Sequence, residues 1–173
     1  DGAQWFALDS GIVGGVVWDI ITYGNYLFVG GQFLQSNGNV ADYIMAWDGQ
    51  NWFDPFPGVQ FSFFVQDLAI INSELYIVGW HSILGDTNVY GLAKFDGVTF
   101  CSIGGADNFL IKIAGLNDTL YAATQGIFDG DTAKWIARMP INTSSDTCIY
   151  QPLNTEEVVF KGVRKDSKRD LAV

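Results

Sequence analysis

His81 is the only histidine in the sequence, so no metal site that needs several histidine ligands can be built from these 173 residues. It lies between Trp80 and Ser82, just after the second strand of a repeat described below, where loops carry binding residues. Trp80 and His81 are therefore candidate ligand-binding residues. The alternative is an aromatic ring packed against the neighbouring repeat, with a solvated imidazole beside it.

Two aspartates, Asp19 and Asp67, lie 48 residues apart, and Lys112 takes the corresponding place in a third copy of the repeat. If the strands that carry them line a common channel, their charges form a partial ring for a ligand or a cation. In the alternative, each aspartate accepts hydrogen bonds from a neighbouring loop or faces channel water. The sequence leaves both interpretations of Asp19 and Asp67 open.

Several aspartates lie in turn-rich segments, and carboxylate oxygens are preferred ligands of Ca²⁺. The densest group is Asp129-Gly130-Asp131, which does not complete a calcium loop with a distal glutamate. The other members are Asp86, Asp107 and Asp118. Turn formation and solubility explain these residues more simply. The sequence therefore predicts no metal or other cofactor, with Ca²⁺ binding by these aspartates as the less favoured alternative.

Two tripeptides match the acceptor motif for N-glycosylation, and both fall in predicted turns. They are Asn117-Asp118-Thr119 and Asn142-Thr143-Ser144. Asn117 and Asn142 are therefore candidate glycosylation sites if the chain belongs to a secreted eukaryotic protein.

A repeat of about 48 residues places these candidates along the chain. The segment Leu27–Gly31 returns as Leu75–Gly79, and Trp47-Asp48-Gly49 returns as Phe95-Asp96-Gly97. A third, weaker copy includes Leu120–Ala123. Self-similarity at a fixed period predicts an array of equivalent structural units.

Each of the first two units contains four short runs rich in β-forming residues, and none has the apolar spacing of a helix. The predicted strands are Val16–Tyr23, Tyr26–Val29, Ile44–Trp47 and Trp52–Phe56, then Phe64–Asn72, Glu74–Val78, Tyr90–Phe95 and Thr99–Ile103. Asp48-Gly49 and Asp96-Gly97 predict type I′ hairpin turns, which require positive φ at both central residues. The expected fold class is all-β.

One four-stranded sheet of about 45 residues cannot bury both faces alone, so we expect the sheets to stack as β-propeller-type blades. The predicted division is 1–10 as the last strand of a preceding blade, 15–56 and 62–103 as blades, 108–153 as a divergent blade, and 154–173 as the start of a further strand with a basic tail. Three blades cannot close a ring. We therefore expect a fragment of a larger propeller or repeat array, or self-association through strand edges at Gln4–Leu8 and Glu157–Val163.

Charge and cysteine content restrict the partners and the compartment. The net charge of −10, from 19 acidic and 9 basic residues, argues against nucleic acid as a partner. No apolar run reaches the roughly 18 residues that a membrane span needs, so we expect no membrane insertion of this segment. Cys101 and Cys148 fall in the outer strands of different units, which would diverge beyond the ~7 Å limit for a disulfide. The sequence therefore favours two free thiols, with a disulfide between Cys101 and Cys148 in an oxidising compartment as the alternative.

The repeat resembles that of kelch-like propellers from secreted and cell-surface proteins, and its architecture is similar to the central propeller domain of galactose oxidase. The residues that carry the resemblance are Trp5, Leu8, Leu27–Gly31 with Phe33, and Ala46–Gly49 with Trp52. The second unit departs from the pattern at Trp80-His81, and the third lacks the Gly pair and the Asp-Gly turn. The resemblance implies an extracellular or cell-surface module that is mostly non-catalytic.

We therefore expect a non-enzymatic scaffold, adhesion or binding module whose partner is a protein, a glycan or further copies of the chain. One alternative is a carbohydrate-active propeller enzyme. An oxidase of the galactose oxidase kind needs paired histidine ligands, and a glycan-cleaving enzyme needs two carboxylates ~5–9.5 Å apart. The other alternative is a kelch-type adaptor for protein interactions.

Overall fold

The computed structural model describes residues 2, 4–9, 11–36, 43–83, 89–103, 109–128, 131–133, 136–141 and 147–150. These residues form strands, turns and connecting segments, and no helix occurs among them. Accordingly, none of them belongs to a helix that could span a membrane. The predicted all-β fold class is confirmed.

The strands follow the repeat units in chain order. The first part of the chain forms β1 (Ile12–Val13), β2 (Val16–Tyr23), β3 (Tyr26–Gln32), β4 (Gln35–Ser36), β5 (Ile44–Trp47) and β6 (Trp52–Phe53). The second unit forms β7 (Val59–Ile71), β8 (Glu74–Ile83), β9 (Val89–Phe95) and β10 (Thr99–Ile103). The remaining strands are β11 (Phe109–Leu116), β12 (Thr119–Phe128), β13 (Asp131–Ala133), β14 (Ile136–Pro140) and β15 (Thr147–Tyr150). All eight strands predicted for the first two units are present, and β7 and β8 are longer than predicted.

These strands form three antiparallel sheets, beside a short ribbon of β1 and β4. The first sheet has the order β2-β3-β5-β6, and the second begins with β7-β8-β9-β10. In the third sheet β12 pairs with β11 along one edge and with β13 and β14 along the other. The second sheet packs between the other two, and the three sheets do not close into a ring.

Apolar side chains fill the spaces between successive sheets. The core between the first and second sheets includes Phe28, Ile44, Val65, Leu68, Phe95 and Phe100. The core between the second and third sheets includes Ile71, Leu92, Ile103, Leu110, Ile113 and Leu120. Strand β8 shows how one strand serves both cores, because Leu75 and Ile77 enter the first while Tyr76 and Val78 enter the second. Alternation along a strand buried on both faces produces this division.

A β-bulge recurs at the same position in the first strand of each sheet, and these strands, β2, β7 and β11, are called the inner strands because β7 contacts both of the others. The register shifts between Val17 and Asp19 in β2, between Val65 and Asp67 in β7, and between Leu110 and Lys112 in β11. The residues after the bulge are Asp19, Asp67 and Lys112, which lie 48 and then 45 positions apart in the sequence. A bulge turns the following side chain away from the regular alternation. The bulge is therefore part of the repeat, as the strands are.

The Asp-Gly corners join the strands that the sequence predicts, but they are not type I′ turns. Gly49 and Gly97 have a φ of 101°, whereas the residues on either side of each glycine do not have positive φ. The Asp48 carboxylate instead accepts hydrogen bonds from the N–H groups of Gln50 and Asn51, at 2.7 and 2.6 Å. An aspartate that caps its own turn in this way stabilises a longer loop.

Strand β15 joins the second sheet and not the third. It pairs with β10 as a fifth strand, with Cys148 directly opposite Cys101. Cys101 is disulfide-bonded, and Cys148 is the other cysteine of the sequence. The expectation of two free thiols was therefore wrong. It assumed that both cysteines stay in separate, diverging sheets, whereas opposite residues of one antiparallel pair lie within the Cα range of a disulfide.

The N-terminal segment forms no strand in the structure. Residues 4–8, which the sequence predicts as the last strand of a preceding blade, are extended over the surface, and Trp5 is 102% exposed. The backbone O of Leu8 accepts a hydrogen bond from Trp52 Nε1 at 3.3 Å. The predicted strand Glu157–Val163 and the basic tail lie outside the described residues.

Replacing Gly79 by alanine should destabilise the second sheet, because a Cβ there would lie 2.7 Å from the Phe64 backbone O and 3.1 Å from Val65 Cα. We expect the free energy of unfolding to fall by about 1–3 kcal/mol, as for other overpacked sites. Denaturant unfolding measures this change. Gly2→Ala is the control, since a Cβ at Gly2 meets nothing within 4 Å. Equal stability of both variants would contradict the close approach at Gly79.

Candidate functional site

Asp19 and Asp67 connect neighbouring sheets through directed hydrogen bonds. Asp19 Oδ2 on the first sheet accepts from the Leu68 N–H of the second sheet at 2.8 Å. Asp67 Oδ2 on the second sheet accepts from the Ile113 N–H of the third sheet, also at 2.8 Å. Leu68 directly follows Asp67, which is the equivalent of Asp19 in the second unit. In the same way, Ile113 directly follows Lys112, which is the equivalent of Asp67 in the third unit. The two contacts are thus copies of one inter-sheet hydrogen bond.

The third unit replaces the aspartate with Lys112, which donates a hydrogen bond and forms an ion pair with Asp67 Oδ1. Asp67 is 2% exposed, whereas the Lys112 side chain extends into solvent. Burial raises the pKa of Asp67, and the Lys112 and Ile113 hydrogen bonds oppose that effect. The hydrogen bond that Lys112 donates to Asp67 raises the pKa of Lys112. The pair is therefore a charged link between the second and third sheets.

The bulges explain why these carboxylates reach the next sheet. In a regular strand, side chains alternate between the two faces, and the bulge before Asp19 and Asp67 changes that direction. The sequence suggested either a charged ring or hydrogen bonding to a neighbouring element. In the structure both carboxylates are engaged by the adjacent sheet. Their contacts supply a structural role for the inner-strand aspartates.

A different group of side chains forms an aromatic cluster, defined here as Trp18, Phe63, Phe64 and Trp80. The ring centroids of Phe63 and Trp80 lie 4.9 Å apart, and those of Phe64 and Trp80 lie 6.4 Å apart. Trp18 extends the cluster across the junction of the first two sheets, with its centroid 5.2 Å from that of Phe64. The Phe63 side chain is 58% exposed, and Trp18 is also exposed.

Backbone geometry at Phe63 brings two consecutive aromatic rings to the same tryptophan. Neighbouring side chains in a regular strand point to opposite faces. Phe63 has a φ of 70°, and the β7–β8 register shifts between Ser62 and Val65. A positive φ in a bulky residue is a backbone outlier, and such outliers persist only where the surroundings enforce them. The exposed ring is therefore held in place at an energetic cost.

The predicted site residues have different outcomes. Trp80 lies in the aromatic cluster, whereas the side chain of His81 lies outside the described part of the structure, although its backbone pairs within β8 and β9. Sequence reasoning missed Trp18, Phe63 and Phe64. The consecutive pair Phe63-Phe64 was the available signal, because an alternating strand cannot direct both rings to one core.

The predicted modification and cation sites are only partly described. Asn117 is exposed in a two-residue turn, where Asn117 and Asp118 have φ values of 48° and 54°. Asn142 lies outside the described residues. Asp118 Oδ1 accepts a hydrogen bond from Asn72 Nδ2 at 3.1 Å. Within the described part of the chain, no group of three or more His, Cys, Asp or Glu residues could hold a metal ion.

Asp67→Ala should weaken the contact between the second and third sheets. It leaves the Ile113 N–H without its acceptor, and loss of a buried hydrogen-bond partner costs about 1–3 kcal/mol. Chemical denaturation measures the free energy of unfolding. Asp67→Asn is the matched variant, because its amide oxygen can still accept the Ile113 hydrogen bond, and it should lose less. A larger loss in Asp67→Asn than in Asp67→Ala would contradict this role.

The stabilising effect of Lys112 should depend on pH in the alkaline range. Its pKa is raised above 10.5 in the folded chain, so the folded state keeps the proton longer than the unfolded state. The contribution is therefore complete below the unfolded pKa and is lost as the pH rises through the folded pKa. The difference in unfolding free energy between the native chain and Lys112→Met should shrink over that interval. Arg138→Met removes an exposed positive charge from the same sheet and is the control.

Comparison with protein-family models finds no match, and neither curated proteins nor solved structures show a significant similarity to the chain. The functional conclusion therefore depends on the residues and contacts described above.

Proposed function

We propose that the chain is a non-enzymatic binding module of an extracellular or cell-surface protein, and that the aromatic cluster is its contact surface. The observation that carries this proposal is the exposed, strained Phe63 packed on Trp80. Exposed groups of large apolar side chains on a folded domain mark interaction sites. Aromatic residues supply much of the binding energy at such sites because they bury a large area with few rotatable bonds.

Two observations support the extracellular setting. Cys101 is disulfide-bonded, and disulfides persist mainly in oxidising compartments. Asn117 of the first glycosylation motif is exposed in a turn, where a glycan would not disturb the sheets. The strong negative charge favours partners that are neutral or basic over nucleic acid.

Propeller-type blades are the arrangement that we propose for the sheets. Strand β7 lies between β2 and β11 and contacts both, and both inter-sheet aspartate contacts occur on these strands. Inner strands converge in this way when sheets radiate from an axis. On this arrangement, the aromatic cluster lies at the junction of two adjacent blades, a common place for ligand sites.

The ligand that we propose is an extracellular glycan or a protein segment with an apolar surface. A sugar ring presents an apolar face to an aromatic side chain and polar hydroxyl groups around its edge. Gln66 follows the cluster on β7 and is half-buried at the second register shift of that strand. Gln66 is a polar candidate for contact with a hydroxyl or peptide group, and half-buried Ser62, which directly precedes Phe63, is a second one.

Phe63→Gly tests the cluster without the usual loss of stability. Glycine adopts the φ of 70° without strain, so the variant should fold at least as well as the native chain while lacking the exposed ring. We expect binding on a glycan array, or to an identified protein ligand, to fall about 30-fold, as for a hot-spot residue worth about 2 kcal/mol.

Val98→Ala is the control, since Val98 is exposed but lies outside the cluster. It should bind like the native chain. Unchanged binding by Phe63→Gly would contradict the role of the cluster. Recovery of shortened or oxidised glycan from the binding reaction would contradict the non-enzymatic assignment.

A further inference from the structure

Within the described residues, the third sheet lacks an outer strand beyond β14, since its short strand β13 pairs with β12 on the same side as β14. The first sheet ends with β6 as its fourth strand, and β10 takes the same place in the second sheet. In the third sheet β14 corresponds to β5 and β9, and among the described residues no strand pairs with its outer edge. The expected fourth strand, β15, lies on β10 of the second sheet. Unpaired backbone groups along such an edge accept another strand.

Residues 4–8 have the sequence of a fourth strand, but they belong to no sheet in this structure. Gln4-Trp5-Phe6 matches Asn51-Trp52-Phe53, of which Trp52–Phe53 form β6. Trp52 is 5% exposed and its ring centroid lies 5.3 Å from that of Trp47, whereas Trp5 is fully exposed. Trp5 is thus exposed although its equivalent, Trp52, is buried. This difference indicates that Trp5 makes a contact that a single copy of the chain does not supply.

Residues 4–8 cannot reach β14 of their own copy. The Leu8 backbone O is bound to Trp52 Nε1 of the first sheet, and the second sheet separates the first from the third. Packed sheets lie ~10 Å apart, so the first and third are ~20 Å apart. Five extended residues span at most about 17 Å. The segment and the open edge therefore lie at opposite ends of the row of sheets.

We propose that residues 4–8 of one copy pair with β14 of a second copy and complete its third sheet. The repeat determines the register, because Met139 corresponds to Trp47 and Arg138 to Ala46. In the first sheet Trp47 is opposite Trp52, and Ala46 is opposite Phe53. Trp5 of one copy therefore lies opposite the half-buried Met139 of the other, and Phe6 lies opposite the exposed Arg138, whose cation can rest on the ring.

Such a contact is heterologous, since it joins the beginning of one copy to the end of the next. Heterologous contacts build rings when the rotation closes and filaments when it does not. The contact also places the outer face of the third sheet beside the first sheet of the donor. Exposed Leu116 and Ile136 on the third sheet and Ile20 on the first would then be covered. This assembly is independent of ligand binding at the aromatic cluster.

Light scattering after size-exclusion chromatography tests the assembly with the full chain. The native chain should exceed the monomer mass as its concentration rises. In the first sheet the hydrogen-bonded pairs are Asp48 with Asn51 and Ala46 with Phe53, so in the proposed register the N–H of Phe6 points at Arg138. Phe6→Pro removes that donor, and residue 6 is exposed and outside any strand, so the fold should be unaffected. We expect this variant to associate at least about tenfold more weakly. Gly2→Pro, with its proline outside the paired residues, should assemble like the native chain.

Cross-linking tests the register between copies. Copies carrying Phe6→Cys are mixed with copies carrying Arg138→Cys under mild oxidation, and a covalent heterodimer should form faster than either homodimer, because opposite residues lie within disulfide range. A native chain that stays monomeric, a Phe6→Pro variant that assembles normally, or the absence of heterodimer would each overturn the proposal. Ligand binding by Phe6→Pro should match the native chain, so the two proposals fail separately.

Discussion

The burial of both faces of the second sheet is the constraint on which the rest of the structure depends. Alternate residues of β8 enter two different cores, so this sheet needs a neighbour on each side. Apolar packing is not directional and does not by itself determine how one sheet sits on the next. The hydrogen bonds from Leu68 to Asp19 and from Ile113 to Asp67 supply that direction. Packing provides the stability, and the inner-strand carboxylates determine the alignment of the sheets.

Close packing near the inner strands also explains the glycine pair of the repeat. A Cβ at Gly30 would lie 2.6 Å from Val65 Cγ1 on the second sheet, whereas one at Gly31 would collide with the bulged strand β2 of its own sheet. Gly79 repeats the second contact. The third unit has Thr124 at the position equivalent to Gly79, and its buried hydroxyl has no hydrogen-bond partner in the described structure. Thr124 lies opposite Leu110 at the bulge, so the third unit departs from the glycine pattern of the repeat at that point.

Much of the fold could be predicted because β-strands are encoded locally. Short runs such as Val16–Tyr23 and Ile44–Trp47 have the predicted bounds, since β-branched and aromatic residues favour strands wherever a neighbour is available. The site was harder to predict. Trp80 was identified, but Phe63 was not, because its importance comes from a positive φ and an exposed ring that composition does not reveal. The Asp-Gly corners show the same limit, since the aspartate side chain and not the φ preference organises each loop.

The strand-rich units, their period and the equivalence of Asp19 with Asp67 can all be predicted from the order of the amino acids. These properties follow from side-chain spacing and turn residues, which act over a few positions. The sheet that β15 joins is evident only in the folded chain, as are the pairing of Cys101 and, within the described residues, the open edge of β14. The pairing of β15 with β10 joins residues that lie far apart in the chain. The free energy of this pairing depends on which sheet edges are available to β15, and no local sequence pattern encodes that.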